Sequence, residues 1–147
     1  MKTALVKTAA RLVLCVAGAA NGPVSAELKG LTADEAQTLM SQGVPLVDIR
    51  TPQEWQATGI VPGSHKLMFF DASGQYDAAA WLKSLKTVAP KLDQPIILVC
   101  RSGNRSSTVG RMLSDEMGYQ HVYHIEKGIR GWAAEGNALT KPPCVNC

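Results

Sequence analysis

Pro95-Ile96-Ile97-Leu98-Val99-Cys100-Arg101-Ser102-Gly103-Asn104-Arg105-Ser106-Ser107 is the stretch on which the fold turns. Residues 95–99 form a short, continuously apolar run, the pattern of a strand buried on both faces. The run ends directly on Cys100, and the polar residues beyond it read as a loop and then a helix start. Arg101 to Arg105 offer successive backbone N–H groups, and Gly103 permits the positive φ that curls them inward. The helix, expected over 105–117 and closed by Gly118, adds unpaired N–H groups and the positive end of its dipole. Arg101 and Arg105 supply formal charge. These features favour a thiolate, the nucleophilic form of cysteine. A purely structural cysteine ending a core strand is common, but this one is flanked by two arginines, a glycine and hydroxyls.

Working outward, the same strand–helix alternation recurs. Thr32-Ala33-Asp34-Glu35 is a capping box, and Ala36, Leu39 and Met40 follow at helical spacing, predicting a helix over 32–42 that Gly43 ends. Residues 44–49 form a second apolar strand. Thr51-Pro52-Gln53-Glu54 begins a brief helix with Thr51 as N-cap and proline at the first helical position. Residues 78–89 read as a helix with a core stripe of Trp81, Leu82, Leu85 and Val88. Residues 121–125 are a third strand, and 128–134 a final short helix containing Trp132. The pattern predicts an α/β sandwich around a mainly parallel sheet, whose ligands bind beyond the carboxyl ends of the strands. Cys100 stands at such an end, as do Asp48 and Arg50.

The chain has 147 residues and a mean hydropathy of -0.01, which suits one globular domain. Its first 26 residues differ from the rest. Lys2, Lys7 and Arg11 make a positive start, residues 12–20 an apolar stretch, and Val24-Ser25-Ala26 a small-residue cleavage pattern, with no acidic residue before Glu27. Residues 1–26 are therefore expected to be a signal peptide, and the mature protein to be periplasmic or otherwise exported. Leu14 is too large for the small-residue position before a lipidated cysteine, so Cys15 is not read as a lipid anchor. Removing Lys2, Lys7 and Arg11 from 15 basic residues leaves 12, against 12 acidic ones. A neutral mature chain with no basic stripe offers nucleic acid nothing to bind, and no apolar run reaches the ~20 residues of a membrane span. Three cysteines remain, an odd count. Cys144 and Cys147 form a CxxC in a tail expected over 141–147, and Cys100 is left free. The tail pair reads as a small disulfide, a resolving pair for Cys100 or a soft-metal site. His65, His121 and His124 lack metal-ligand spacing and read as ordinary structural histidines.

Cys100-Arg101-Ser102-Gly103-Asn104-Arg105-Ser106 resembles the active-site loop of single-domain rhodaneses, and the resemblance spans roughly residues 28–139. Leu46-Val47-Asp48-Ile49-Arg50 is similar to the family's apolar-Asp-x-Arg strand end. Glu54-Trp55 with Thr58-Gly59-Ile60-Val61-Pro62-Gly63-Ser64 is similar to its Gly-His-Ile-Pro-Gly-Ala segment, and Gly128-Ile129-Arg130-Gly131-Trp132 with Gly136 to its C-terminal signature. Two positions depart from the pattern: the histidine after Gly59 is missing, and Lys127 replaces one glycine of a pair.

The resemblance implies a rhodanese-like three-layer sandwich over residues 27–140 and a thiosulfate-type sulfurtransferase. Cys100 would be the catalytic residue, carrying a persulfide. Arg101, Ser102, Gly103, Asn104, Arg105 and Ser106 would bind the substrate, and Asp48 and Arg50 would support the site, unless they form a plain structural salt bridge. A small sulfur donor and acceptor are implied as partners; no metal or organic cofactor is. Loop length separates this reading from cysteine phosphatases, which place arginine after five intervening residues to span a phosphate. Here Arg105 is itself the fifth residue after Cys100, and Ser106 the sixth. Two alternatives remain open: a non-enzymatic persulfide carrier serving a partner protein, and thiol–disulfide exchange at Cys144 and Cys147.

Overall fold

The structure is a computed structural model and describes residues 26–142. All but the last residue of the expected leader, Cys15 within it, and the tail cysteines Cys144 and Cys147 lie outside the described residues. The elements run β1 (Lys29–Leu31), α1 (Ala33–Ser41), β2 (Leu46–Asp48), α2 (Pro52–Thr58), β3 (His65–Lys66), α3 (Ala78–Leu85), β4 (Ile96–Val99), α4 (Asn104–Arg111), β5 (Val122–Ile125) and α5 (Gly128–Ala134). The five strands pair in parallel, in the order β1-β5-β4-β2-β3. β4 is therefore central, with Leu98 opposite Val47 on β2 and His124 on β5.

Alternation along β4 sorts its side chains between two cores. Ile96, Leu98 and Cys100 join Trp81, Leu85, Val109 and Leu113 of the α3–α4 face. Ile97 and Val99 join Ala33, Ala36, Ile129 and Trp132 of the α1–α5 face. All four strand residues are fully buried, each worth about 1.5–3 kcal/mol over an exposed position. Helices on both faces make the α/β sandwich that the strand–helix alternation predicts, in the three layers that the family resemblance implies. Among the described residues no helix is long and apolar enough to cross a membrane.

Local signals place the helix starts. Thr32 and Glu35 close a reciprocal capping box at α1, with Thr32 N–H donating to Glu35 Oε2 at 2.8 Å. Thr51 and Glu54 repeat it at α2, where Pro52 fills the first turn. The structure differs from expectation at three places. β1 and β3 were not anticipated: they are edge strands of three and two residues, too short to show a period. The helix expected over 78–89 ends at Leu85, because Thr87 and Val88 donate to the carbonyls three residues back and tighten the last turn. The helix expected over 105–117 begins one residue earlier and becomes π-helical over Met112–Glu116, where Met117 N–H reaches Met112 O at 3.1 Å.

Candidate active site

β4 ends at Val99, so Cys100 is the first residue to leave the sheet, and its side chain continues the alternation toward α4. The thiol is nearly buried, the residue being 1% exposed. Gly103 N–H donates to Cys100 Sγ at 3.1 Å, and the Ser106 hydroxyl stands 3.4 Å from Sγ and 3.0 Å from Gly103 O. Each is a donor that can stabilise negative charge on sulfur. Gly103 holds φ 95°, and a Cβ there would collide with the Glu126 carbonyl, so only glycine closes the loop against the turn after β5.

The first turn of α5 clamps the loop from behind. Ile129 N–H donates to Cys100 O at 2.9 Å and Arg130 N–H to Arg101 O at 3.1 Å. In a trans peptide the N–H points opposite the carbonyl. Turning those two carbonyls toward α5 therefore turns the Arg101 and Ser102 N–H groups the other way. Gly128, with φ 58°, makes the approach possible, since a Cβ would strike the Cys100 and Arg101 carbonyls. Lys127 tolerates the glycine position of the family pattern because its φ is -94°.

The other expected site residues separate into three groups. Arg101, Ser102 and Asn104 are exposed at the rim of the loop. Asp48 and Arg50 form a buried ion pair at the end of β2, 0% and 1% exposed, with Nη2–Oδ2 at 2.7 Å and Nε–Oδ1 at 2.9 Å. Arg50 also donates to Gly59 O at 2.8 Å and Thr58 Oγ1 at 2.6 Å. The pair fastens β2 to the end of α2 and makes no hydrogen bond to Cys100. Arg105, expected to bind the substrate, forms a bidentate pair with Glu54 of α2, at 2.9 and 2.6 Å. Its charge is thus already compensated.

Sequence reasoning missed three residues here: Glu54, Arg130 and His124. Glu54 registered as a helix-start residue and as part of a family segment, not as a partner of Arg105. Arg130 stood inside a recognised signature, and with Arg101 it lines a groove beside the loop together with Arg50, Glu54, Ala57, Thr58 and Ile129. Neither Arg101 nor Arg130 forms an ion pair among the described residues. His124 approaches the site across the sheet, with Nδ1 3.3 Å from Ser106 Oγ.

Burial pushes the Glu54 carboxyl up, but hydrogen bonds from Arg105 and Thr51 outweigh it and hold the group below its ordinary 4.5. A carboxyl with a depressed folded value stabilises the fold fully above the unfolded value and loses that contribution as pH falls through the folded one. Glu54→Gln keeps a side chain that can serve the capping box but removes the charge. Urea titrations are expected to show a modest loss, about 1 kcal/mol at neutral pH, that shrinks to nothing under acid conditions. An equal loss at both pH values would mean that packing, not charge, is what Glu54 supplies.

A parallel α/β sheet whose central strand hands a nearly buried cysteine to an amide-lined turn and helix start defines a cysteine-loop α/β domain. The chain belongs to the rhodanese family: the rhodanese-like domain matches residues 32–135. A relative named as the thiosulfate sulfurtransferase GlpE of Pseudomonas fluorescens is 32% identical over 114 residues, which cover 78% of this chain and 93% of that one. The polysulfide-sulfur transferase homodimer of Wolinella succinogenes shares the fold, with a TM-score of 0.62 at 20% identity over 84% of this chain and 86% of that one. A Rhodopseudomonas palustris protein described as a possible tyrosine phosphatase is also similar, with a TM-score of 0.57 at 26% identity over 80% and 88% of the two chains.

Proposed function

We propose that this protein is a sulfurtransferase that moves sulfane sulfur from thiosulfate, or a similar donor, through a persulfide on Cys100 to a thiophilic acceptor such as cyanide or a thiol. The observation that carries the reading is the pair of donors on Cys100 Sγ, the Gly103 amide and the Ser106 hydroxyl. The relatives named as thiosulfate sulfurtransferases support the choice of donor. A thiol this buried favours a donor whose reacting atom is terminal and unhindered, as the outer sulfur of thiosulfate is.

In the first half-reaction the Cys100 thiolate attacks that outer sulfur. A new S–S bond forms, the S–S bond of thiosulfate breaks, and its electron pair leaves with sulfite. The resulting persulfide anion keeps its charge within reach of the loop N–H groups. In the second half-reaction the acceptor attacks the outer persulfide sulfur, and the pair of the breaking bond returns to Cys100 as thiolate. With cyanide the product is thiocyanate. Arg101 and Arg130, beside the loop and without ion-pair partners among the described residues, suit the role of drawing in the anionic donor. Arg105, held by Glu54, suits the role of fixing the loop.

The same reading includes export. The charged, apolar and small-residue order of residues 1–26 supports cleavage after Ala26, and an oxidising compartment would suit a disulfide between Cys144 and Cys147. One experiment addresses all three points: intact-mass and peptide-mass analysis of the exported protein, with and without thiosulfate. The expected result is a chain beginning at Glu27, a tail two hydrogens lighter than its dithiol, and one added sulfur on Cys100 after thiosulfate. A retained Met1–Ala26 segment would refute cleavage after Ala26. Turnover of phosphate esters without sulfur loading would replace the sulfurtransferase reading with a phosphatase.

A further inference from the structure

We infer that His124 is a positioning residue that directs the Ser106 hydroxyl proton onto Cys100 sulfur and so sets how readily that sulfur reacts. Ser106 is fully buried and has one hydroxyl proton, yet three groups stand within its reach: Cys100 Sγ at 3.4 Å, Gly103 O at 3.0 Å and His124 Nδ1 at 3.3 Å. Sulfur receives the proton only if the other two do not. The tautomer of His124 decides whether the ring is one of the competitors. With a bare Nδ1, the ring accepts from Ser106 and sulfur loses a donor. With a proton on Nδ1, the ring no longer accepts from Ser106, and the proton is left to Cys100 Sγ and to the Gly103 carbonyl, which already accepts from Ser107 N–H at 2.9 Å.

The surroundings favour the second arrangement. The Gly103 backbone, whose carbonyl can only accept, favours a protonated ring nitrogen. The charged groups nearby largely oppose one another. Glu126 on the turn after β5 favours the cation and Arg111 at the end of α4 disfavours it; on the β1 side the register partner is Gly30, and on the β4 side Leu98. Burial, the largest influence, moves the imidazole below its ordinary 6.5, so the ring is neutral at neutral pH and acts through its tautomer. Fold position makes this contact possible. His124 sits opposite Leu98 in register and faces α4, so β5 presents it to the first turn of the helix that carries Ser106.

The inference rests on Cys100 being the reactive thiol of the proposed reaction, and its test does not require sulfur transfer. Alkylation of Cys100 by iodoacetamide is followed by peptide mass across pH in the full chain and in His124→Leu, His124→Asn and Ser106→Ala. His124→Leu is expected to slow alkylation roughly tenfold at neutral pH, with the deficit vanishing at alkaline pH, where the thiolate forms unaided. Asparagine, whose amide N–H sits near the Nδ1 position, is expected to restore most of the rate. His124→Leu/Ser106→Ala is expected to be no slower than Ser106→Ala, since both act through one proton. Unchanged alkylation profiles in a folded His124→Leu protein would overturn the inference. So would a deficit that persists at alkaline pH, or equal loss in the leucine and asparagine variants, since each marks a packing role. The expected differences between the alkylation profiles, without any sulfur loading from thiosulfate, would sink the sulfurtransferase reading and leave the His124 inference standing.

Discussion

Cys100→Ser is expected to yield a folded protein that takes up no sulfur, with thiosulfate:cyanide turnover reduced on the order of 10⁴-fold or more. Serine is nearly isosteric, and its oxygen can accept from the same Gly103 N–H and Ser106 hydroxyl that reach Sγ in the native protein. The core around position 100 therefore loses little. What disappears is chemistry: an alkoxide is far too basic to form under two hydrogen bonds and a helix terminus, and oxygen has no persulfide state. Steady-state assay beside circular dichroism checks the expectation. A folded serine variant that still turned over thiosulfate would end the mechanism.

The second large effect lies away from the sulfur. Arg50→Met is expected to lower stability by about 3–5 kcal/mol, because it leaves Asp48 as an uncompensated charge in a fully buried site. That is a large part of the 5–15 kcal/mol typical of a domain. The same substitution frees the Gly59 carbonyl and the Thr58 hydroxyl, both bonded to the guanidinium. Replacing both partners, as Asp48→Leu/Arg50→Met, should recover much of the loss, since an apolar pair carries no stranded charge. Urea unfolding of the three proteins is the measurement. A loss below about 1 kcal/mol in the single variant would show that water reaches Asp48 and that the pair is worth no more than a surface one.

The two effects connect through α2. Arg50 ties the end of β2 to Thr58 and Gly59, which close α2, and Glu54 near the start of that helix holds Arg105 beside the cysteine loop. Asp48 and Arg50 form the salt bridge considered from the sequence, and Arg50 also lines the groove beside the loop.

How much of this was legible in advance depended on the range of the interactions. Caps, breakers and apolar runs act between near neighbours, so Thr32 with Glu35, Thr51 with Pro52, and the run from Ile96 to Val99 announced their elements. The cysteine loop was legible for the same reason: Cys100, Gly103 and Ser106 meet within seven residues. The short edge strands β1 and β3 were not, because two or three residues show no period and their pairing partners are distant in the chain. The π-helical turn after α4 was not, since the same residues fit an α-helical pattern.

By itself the sequence determined the parallel α/β architecture, the switch from β4 to α4, and a thiol aimed at the start of a helix, all of which are local consequences of side-chain period and turn chemistry. Only the tertiary structure decided what the long polar side chains do. Arg105 and Glu54 are 51 residues apart and meet because β2 and β4 are neighbours, placing α2 beside α4. Ser106 and His124 meet because β5 lies on the other side of β4. Strand order is set by the burial of whole faces rather than by any short motif. The partner of a charge or a proton donor is therefore settled only when the sheet is assembled.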